Sequence, residues 1–329
     1  MPTLKSQRIK VGLTMGDPSG IGPSIIAKSL AKLKNLAQFV VIGDKWVFEK
    51  AVSCPCLPAK QELAAHSYKF IDLHNVPHKN FTFGKVKAEY GRASIEYLDK
   101  AMGLIRNKEI DCLVTAPISK EAINLAGFTW LGHTEYLTQS SGVENFVMML
   151  LNKRLKIALV TRHTPLKSVA FELNKNNVSQ TTLLTYKYLK DWFSIKEPRL
   201  VVCGLNPHGS DNGLIGNEEN KIIKPAIQRL SRKIRYIDGP LPCDVALAQV
   251  LGGKYDCAIA MYHDQALIPL KITDAQSGVN ITLGLKFIRT SPLHGTAFDI
   301  AKDPKLADPS SFIAAIQLAI RCTLNQKNA

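Results

Sequence analysis

Ile9-Lys-Val-Gly-Leu-Thr-Met15 runs directly into Gly16-Asp-Pro-Ser-Gly-Ile-Gly22, and that turn runs into the periodic stretch Pro23 to Leu36. The first segment is short and apolar, as a strand is. The last opens on a proline, whose fixed φ and missing N–H suit the first turn of a helix. A strand, a glycine turn and a helix in that order begin an α/β unit, and the chain repeats the theme. Phe39-Val-Val-Ile42, Cys112-Leu-Val-Thr115, Leu155 to Thr161, Leu200 to Cys203 and Cys257 to Met261 read as further strands, and Ser94 to Ile105 as a helix. Strands separated by helices predict a parallel sheet with helices on both faces, and such sheets place ligands at the carboxyl ends of their strands. Residues just past each strand are therefore the candidates for function. Ala51 to Lys87 holds Cys54-Pro-Cys56, three histidines and little periodicity, and reads as a peripheral insertion.

The 329 residues are 46% hydrophobic and 21% charged, enough for two domains or one large α/β unit with a cleft. No apolar run approaches the roughly 18 residues of a membrane span, and Phe146 to Leu151 reads as a core segment. The polar start, Met1 to Lys10, leads straight into a strand-like run and does not read as a signal peptide. Seven scattered cysteines point to a reducing compartment, the cytoplasm, rather than to a disulfide framework. Cys54-Pro-Cys56 has no second pair at zinc-site spacing to complete a metal site. Forty-two Lys and Arg against 27 Asp and Glu give a formal charge of +15. The positive residues are spread, as at Lys28, Lys32, Lys34 and Lys45, without an arginine-rich tail. That pattern favours an anionic substrate and cofactor over nucleic acid.

Glycines at 16, 20 and 22 before a helix could let backbone amides meet a phosphate, with Asp44 after the second strand holding a ribose. The spacing G-x-x-x-G-x-G and the proline inside it fit a dinucleotide fingerprint poorly, and a purely structural turn accounts for them equally well. The histidines carry more. His163, His208 and His263 each follow a strand, and imidazole suits zinc and related divalent ions, with three protein ligands leaving open positions for substrate. Their separations match no local motif, so pattern alone leaves a metal site and three hydrogen-bonded loop histidines equally open. Thr134, in Gly132-His-Thr-Glu-Tyr136, could be a helix N-cap, and Leu293-His-Gly-Thr-Ala-Phe-Asp299 a tight turn.

Six motifs occur in order over nearly the whole chain: Thr14-Met-Gly-Asp-Pro-Ser-Gly-Ile-Gly-Pro23, Gly132-His-Thr-Glu-Tyr136, Asn206-Pro-His208, Gly239-Pro-Leu-Pro-Cys-Asp244, Tyr262-His-Asp-Gln265 and His294-Gly-Thr-Ala-Phe-Asp299. Together they resemble the 4-hydroxythreonine-4-phosphate dehydrogenases of vitamin B6 synthesis. The resemblance implies an α/β fold of two α/β/α subdomains flanking a cleft, like isocitrate and isopropylmalate dehydrogenases. The cofactor side would be 1–130 with 275–329, and the metal and dimer side 131–274. It implies that His163, His208 and His263 bind zinc, magnesium or cobalt in a homodimer whose active site lies at the subunit interface, His263 coming from the partner. It implies that His133, Thr134, Lys271, Asn280 and Arg289 bind substrate. NAD, or NADP, would be bound by the loop of His294, Gly295, Thr296 and Asp299. The candidate general bases are Asp244 and Lys271.

Two positions depart from the family pattern. Ser24 stands where a glutamate usually follows the glycine turn, and Ala301-Lys-Asp-Pro304 replaces a glycine-containing continuation of the cofactor loop. The rival readings are oxidation of D-threonate or D-erythronate 4-phosphate by the same chemistry, and an acyl or phosphoryl transferase on a similar fold.

Overall fold

Strand β1 (Lys10–Thr14) is buried along all but its first residue, as a strand covered on both faces must be. The structure, a computed structural model, describes residues 8–33, 35–53, 68–130 and 132–328. They fall into two units, one running to Gly142 and resuming over Lys286–Leu324, the other Val143–Leu285 with the residues from Asn325.

In the first unit β1 is flanked by β2 (Gln38–Gly43), β3 (Tyr68–Asp72), β4 (Cys112–Thr115) and β11 (Ile288–Pro292), in the order β3-β2-β1-β4-β11 and all parallel. Its helices are α1 (Gly22–Lys32), α2 (Lys45–Val52), α3 (Ala88–Arg106), α4 (Lys120–Leu125), α5 (His133–Ser140) and most of α11 (Ser310–Asn328). Tyr90, Ser94, Tyr97, Ala101 and Leu104 recur at three- and four-residue spacing, which gives α3 its buried face. The helix predicted from Ser94 therefore begins a turn and a half earlier. The 131–274 boundary expected for the metal side would have taken α5, but α5 belongs to the first unit, where its Tyr136 hydroxyl donates to the Asp99 carboxylate of α3.

The described part of Ala51 to Lys87 is not a peripheral insertion. It supplies β3, paired in register with β2, and a loop bolted to the glycine turn. Ser19 Oγ donates to the Lys85 carbonyl and accepts from its N–H, both at 2.8 Å, while Gly84 N donates to Ser19 O. Cys54-Pro-Cys56 lies outside the described residues.

The second unit corrects the expectation of a wholly parallel sheet. Its strands are β5 (Val147–Leu151), β6 (Lys156–Leu159), β7 (Arg199–Cys203), β8 (Tyr236–Leu241), β9 (Cys257–Ala260) and β10 (Val279–Leu283), in the order β10-β5-β6-β9-β7-β8. β5 runs antiparallel to both β10 and β6; the other pairs are parallel. The reason is the turn at Asn152, whose side-chain oxygen accepts from Arg154 N and Leu155 N at 2.8 Å and folds β5 back along β6. The core segment read at Phe146 to Leu151 is this strand. The helices are α6 (Leu166–Glu172), α7 (Lys175–Asp191), α8 (Lys224–Leu230), α9 (Cys243–Leu251) and α10 (His263–Asp274). Among the described residues no helix is long and apolar enough to cross a membrane.

Candidate functional site

At the carboxyl end of β4 three polar groups of the first unit meet. Arg289, on β11, is only 1% exposed, and its Nη2 donates to Thr115 Oγ1 at 2.7 Å. Burial pulls the guanidinium down to about 9, opposed by the charge of Glu135. His133 is the first residue of α5, and its Nε2 is out of solvent and has no hydrogen-bond partner among the described residues. Burial, then the Arg289 charge, holds this imidazole well below its usual range, so it is neutral. Thr134 is buried beside it; the N-cap is Gly132, so Thr134 does not cap the helix. One cationic side chain, Arg289, is thus buried among neutral polar groups, which suits an anion.

The glycine turn does not hold its amides ready for a phosphate. Asp17 N donates to Pro117 O, Ser19 N to Asp17 Oδ1, Gly20 N to Asp17 O and Ile21 N to Thr296 O, all at 2.9–3.0 Å. Gly16, at φ +70°, takes a conformation that L side chains resist, and a Cβ on Gly20 would stand 3.0 Å from Thr296 O. The turn is a brace under the loop of His294 to Asp299. Asp44 is fully buried, accepting from Tyr97 Oη at 2.7 Å and Val76 N at 3.1 Å, so it anchors the core and is not placed to hold a ribose. In the loop itself the His294 Nδ1 lies 3.0 Å from Gly295 O, and its buried Nε2 has no partner among the described residues. Burial holds this ring below its usual range as well. Gly295 and Asp299 are exposed.

The three strand-end histidines belong to the second unit, on three neighbouring strands in the order β6-β9-β7. Those strands are parallel, so His163, His263 and His208 leave the same edge of the sheet. Backbone latches tie their loops together. Thr161 donates through N and Oγ1 to Met261 O, joining the loop of His163 to that of His263. Gln265, 9% exposed, donates to Gly204 O at 2.9 Å and accepts from Met261 N at 2.7 Å, joining the loop of His263 to that of His208. The fully buried Glu219 accepts from Leu205 N and Asn206 N at 2.8 Å and from Asn206 Nδ2 at 2.9 Å. These anchors hold a loop in which His208 to Asn212 all have positive φ, a run that costs energy at each residue lacking glycine's freedom.

The His163 and His263 rings lie 6.1 Å apart. His263 Nδ1 is 2.6 Å from Asp264 Oδ1, so in the tautomer that donates its Nδ1–H to the carboxylate, Nε2 is the nitrogen left for a ligand. A carboxylate behind the imidazole is the usual support of a metal-ligating histidine, so this donor set fits a borderline divalent cation. Among the described residues of one chain, no group of three or more His, Cys, Asp or Glu side chains is assembled as a finished cation site. Asp244, in the first turn of α9, and Lys271, in the last turn of α10, are exposed. Asn280, on β10, has a buried Oδ1 with no partner among the described residues. Thr115, Thr161, Glu219 and Gln265 escape sequence reasoning; only Gln265 and its neighbours lie in a motif that points to them.

The family model described as pyridoxal phosphate biosynthetic protein PdxA matches residues 35–319. A 4-hydroxythreonine-4-phosphate dehydrogenase of Sulfurihydrogenibium sp. (strain YO3AOP1) is 42% identical over 95% of this chain and 98% of its own. A D-threonate 4-phosphate dehydrogenase of Cupriavidus necator is 39% identical over 93% of this chain and 95% of its own. The crystal structure of 4-hydroxythreonine-4-phosphate dehydrogenase from Klebsiella pneumoniae aligns at a TM-score of 0.85 and 34% identity, covering 97% of this chain and 99% of that one. Isocitrate dehydrogenase from Methylococcus capsulatus aligns at 0.50 and 13% identity over 97% and 87%, a likeness of fold alone. Relatives matched along nearly their whole length are dehydrogenases, and so is this protein: the chain belongs to the PdxA family of pyridoxal phosphate biosynthetic proteins.

Proposed function

We propose that the protein oxidises the secondary alcohol of 4-hydroxythreonine 4-phosphate, with NAD or NADP as hydride acceptor and a divalent metal held by His163, His208 and His263. The observation that carries the reading is the release of these histidines from three adjacent parallel strands, with Thr161 and Gln265 latching the loops. When bound, the metal supplies Lewis acidity at the alcohol oxygen and the nicotinamide takes the hydride. The remaining work belongs to side chains. Arg289 and Lys271 hold the anionic groups of the substrate, Arg289 as a planar fork stripped of water. Neutral His133 accepts a hydroxyl or ammonium hydrogen at Nε2, and Thr134 and Asn280 complete the polar lining. Asp244 or Lys271 takes the alcohol proton. The loop of His294, Gly295, Thr296 and Asp299 binds the dinucleotide. The resulting β-keto acid loses carbon dioxide readily, because the enolate left behind is stabilised.

The surface around the histidines supports a homodimer. Phe171 is 90% exposed, Leu214 88%, Ile272 79% and Leu166 70%, and all four lie on segments that carry a histidine or directly follow one. Apolar groups this exposed mark an association surface. The expected donation of His263 across the subunit interface is part of this proposal, since one chain assembles no group of three candidate ligands among the described residues.

The second reading, D-threonate 4-phosphate as substrate, is favoured by the Cupriavidus relative. The deciding assay follows NADH from each phosphorylated acid with chelated and then metal-restored protein. Metal-restored turnover selective for 4-hydroxythreonine 4-phosphate is expected. Selectivity for the sugar acid phosphate would overturn the substrate assignment, and no reduction with either would overturn the metal-dependent reading.

A further inference from the structure

Cys203 ends β7 and is fully buried; Cys243 opens α9 and is half-buried. In the pairing of β7 with β8 the partner of Cys203 is Leu241, and Gly204 N donates to Leu241 O at 2.7 Å. The turn through Pro242 thus brings the second cysteine back toward the first, and both thiols are free. Cys203 is enclosed by its strand, whereas the half-buried Cys243 is the sulfur a solute can reach. A reachable sulfur beside a buried one is the arrangement of an attacking and a resolving thiol. No other described cysteine offers this. Cys112, Cys257 and Cys322 are buried, and burial pushes the Cys257 and Cys322 thiols up to about 12.

We propose that Cys203 and Cys243 form a disulfide when the enzyme meets a peroxide, and that closure moves Asp244 out of its working position. The second half of this inference rests on the catalytic reading of Asp244 above. The Cys243 thiolate attacks one peroxide oxygen, the O–O bond breaks, and the departing hydroxide takes a proton to become water, leaving a sulfenic acid. The Cys203 sulfur then attacks the sulfenic sulfur, and its proton leaves with the displaced hydroxide as a second water. The thiols lose two electrons and the peroxide gains them. A disulfide is about 2.05 Å long, much shorter than any contact between two free thiols, so one end must move. Cys203 is fixed in a buried strand, so the start of α9 gives way, and Asp244 is its next residue.

The test treats the protein, in a Cys54→Ser and Cys56→Ser background, with stoichiometric hydrogen peroxide. Non-reducing peptide mapping should give a cross-link between the Cys203 and Cys243 peptides. Turnover should fall at least about tenfold, as displacement of a catalytic group by an ångström does, and return with dithiothreitol. Cys243→Ala should keep its activity through the same treatment. A map with Cys243 overoxidised or unmodified and Cys203 still reduced overturns the pair, whatever the enzyme turns over. A cross-link that leaves turnover unchanged overturns the link to Asp244.

Discussion

Asp17 shows how a single residue of the glycine turn ties stability to pH. It is fully buried, and one carboxylate oxygen has no hydrogen-bond partner among the described residues. Burial raises its pKa from an ordinary value near 3.8 to about 7, against the pull of the Ser19 N–H. The folded chain therefore keeps a proton that the unfolded chain releases. Between about pH 4 and 7 this group favours unfolding more with each rise in pH, and its stabilising share is gone above 7. Asp17→Asn should flatten that slope, leaving the part contributed by Asp44, which burial also raises. Urea midpoints at pH 5 and pH 8 check it; an undiminished slope counts against the buried carboxyl. Glu219 works by satisfaction rather than by titration. Glu219→Ala strands two backbone N–H groups and the Asn206 amide, for about 2–4 kcal/mol and a weaker grip on the loop of His208. Denaturation together with metal-affinity measurements should both move. The histidines can be read in the sequence because each follows a strand. Glu219 cannot, because a glutamate in a polar stretch reads as a solvated charge until the fold encloses it.

At the scale of elements, strands announced by short apolar runs are legible, and strand direction is not. Val147–Leu151 shows only its hydrophobicity, and whether it runs with its neighbours is set by the four-residue turn that follows. β3 and β8 hide for another reason: both are edge strands, only partly buried, and carry too little apolar signal. Asn152 decides the hairpin. Besides capping the turn, its Nδ2 donates to Leu270 O at 3.0 Å and Thr273 Oγ1 at 2.9 Å, fastening the hairpin to the end of α10. Asn152→Ala leaves these groups and two turn amides without their partner, at a cost of roughly 2–4 kcal/mol. Asn152→Asp keeps the turn but not the donors, and should cost less. If the two variants unfold at the same denaturant concentration, the turn bonds do not set the register.

At the scale of the whole molecule, the four most exposed large apolar side chains among the described residues lie on or directly after the histidine-bearing segments. Ile268 and Ile272, 56% and 79% exposed, stand one turn apart on the helix that His263 opens, and Phe171 follows His163 on α6. A lone chain gains nothing from presenting them to water, since each such side chain is worth about 1.5–3 kcal/mol when covered. If two copies cover these faces about a two-fold axis, every substitution acts twice. Ile272→Asp should then weaken the dimer by roughly 3–6 kcal/mol, a hundredfold or more in Kd. Ile272 faces solvent, so the fold itself should survive, and circular dichroism should be unchanged. Sedimentation will give the mass and the NADH assay the turnover, both as functions of protein concentration. The proposed function expects the two to fall together on dilution, because the loops of His163 and His263 are only half enclosed by their own chain. A variant that sediments as a monomer and still turns over at the parental rate would show that one chain holds the metal site unaided.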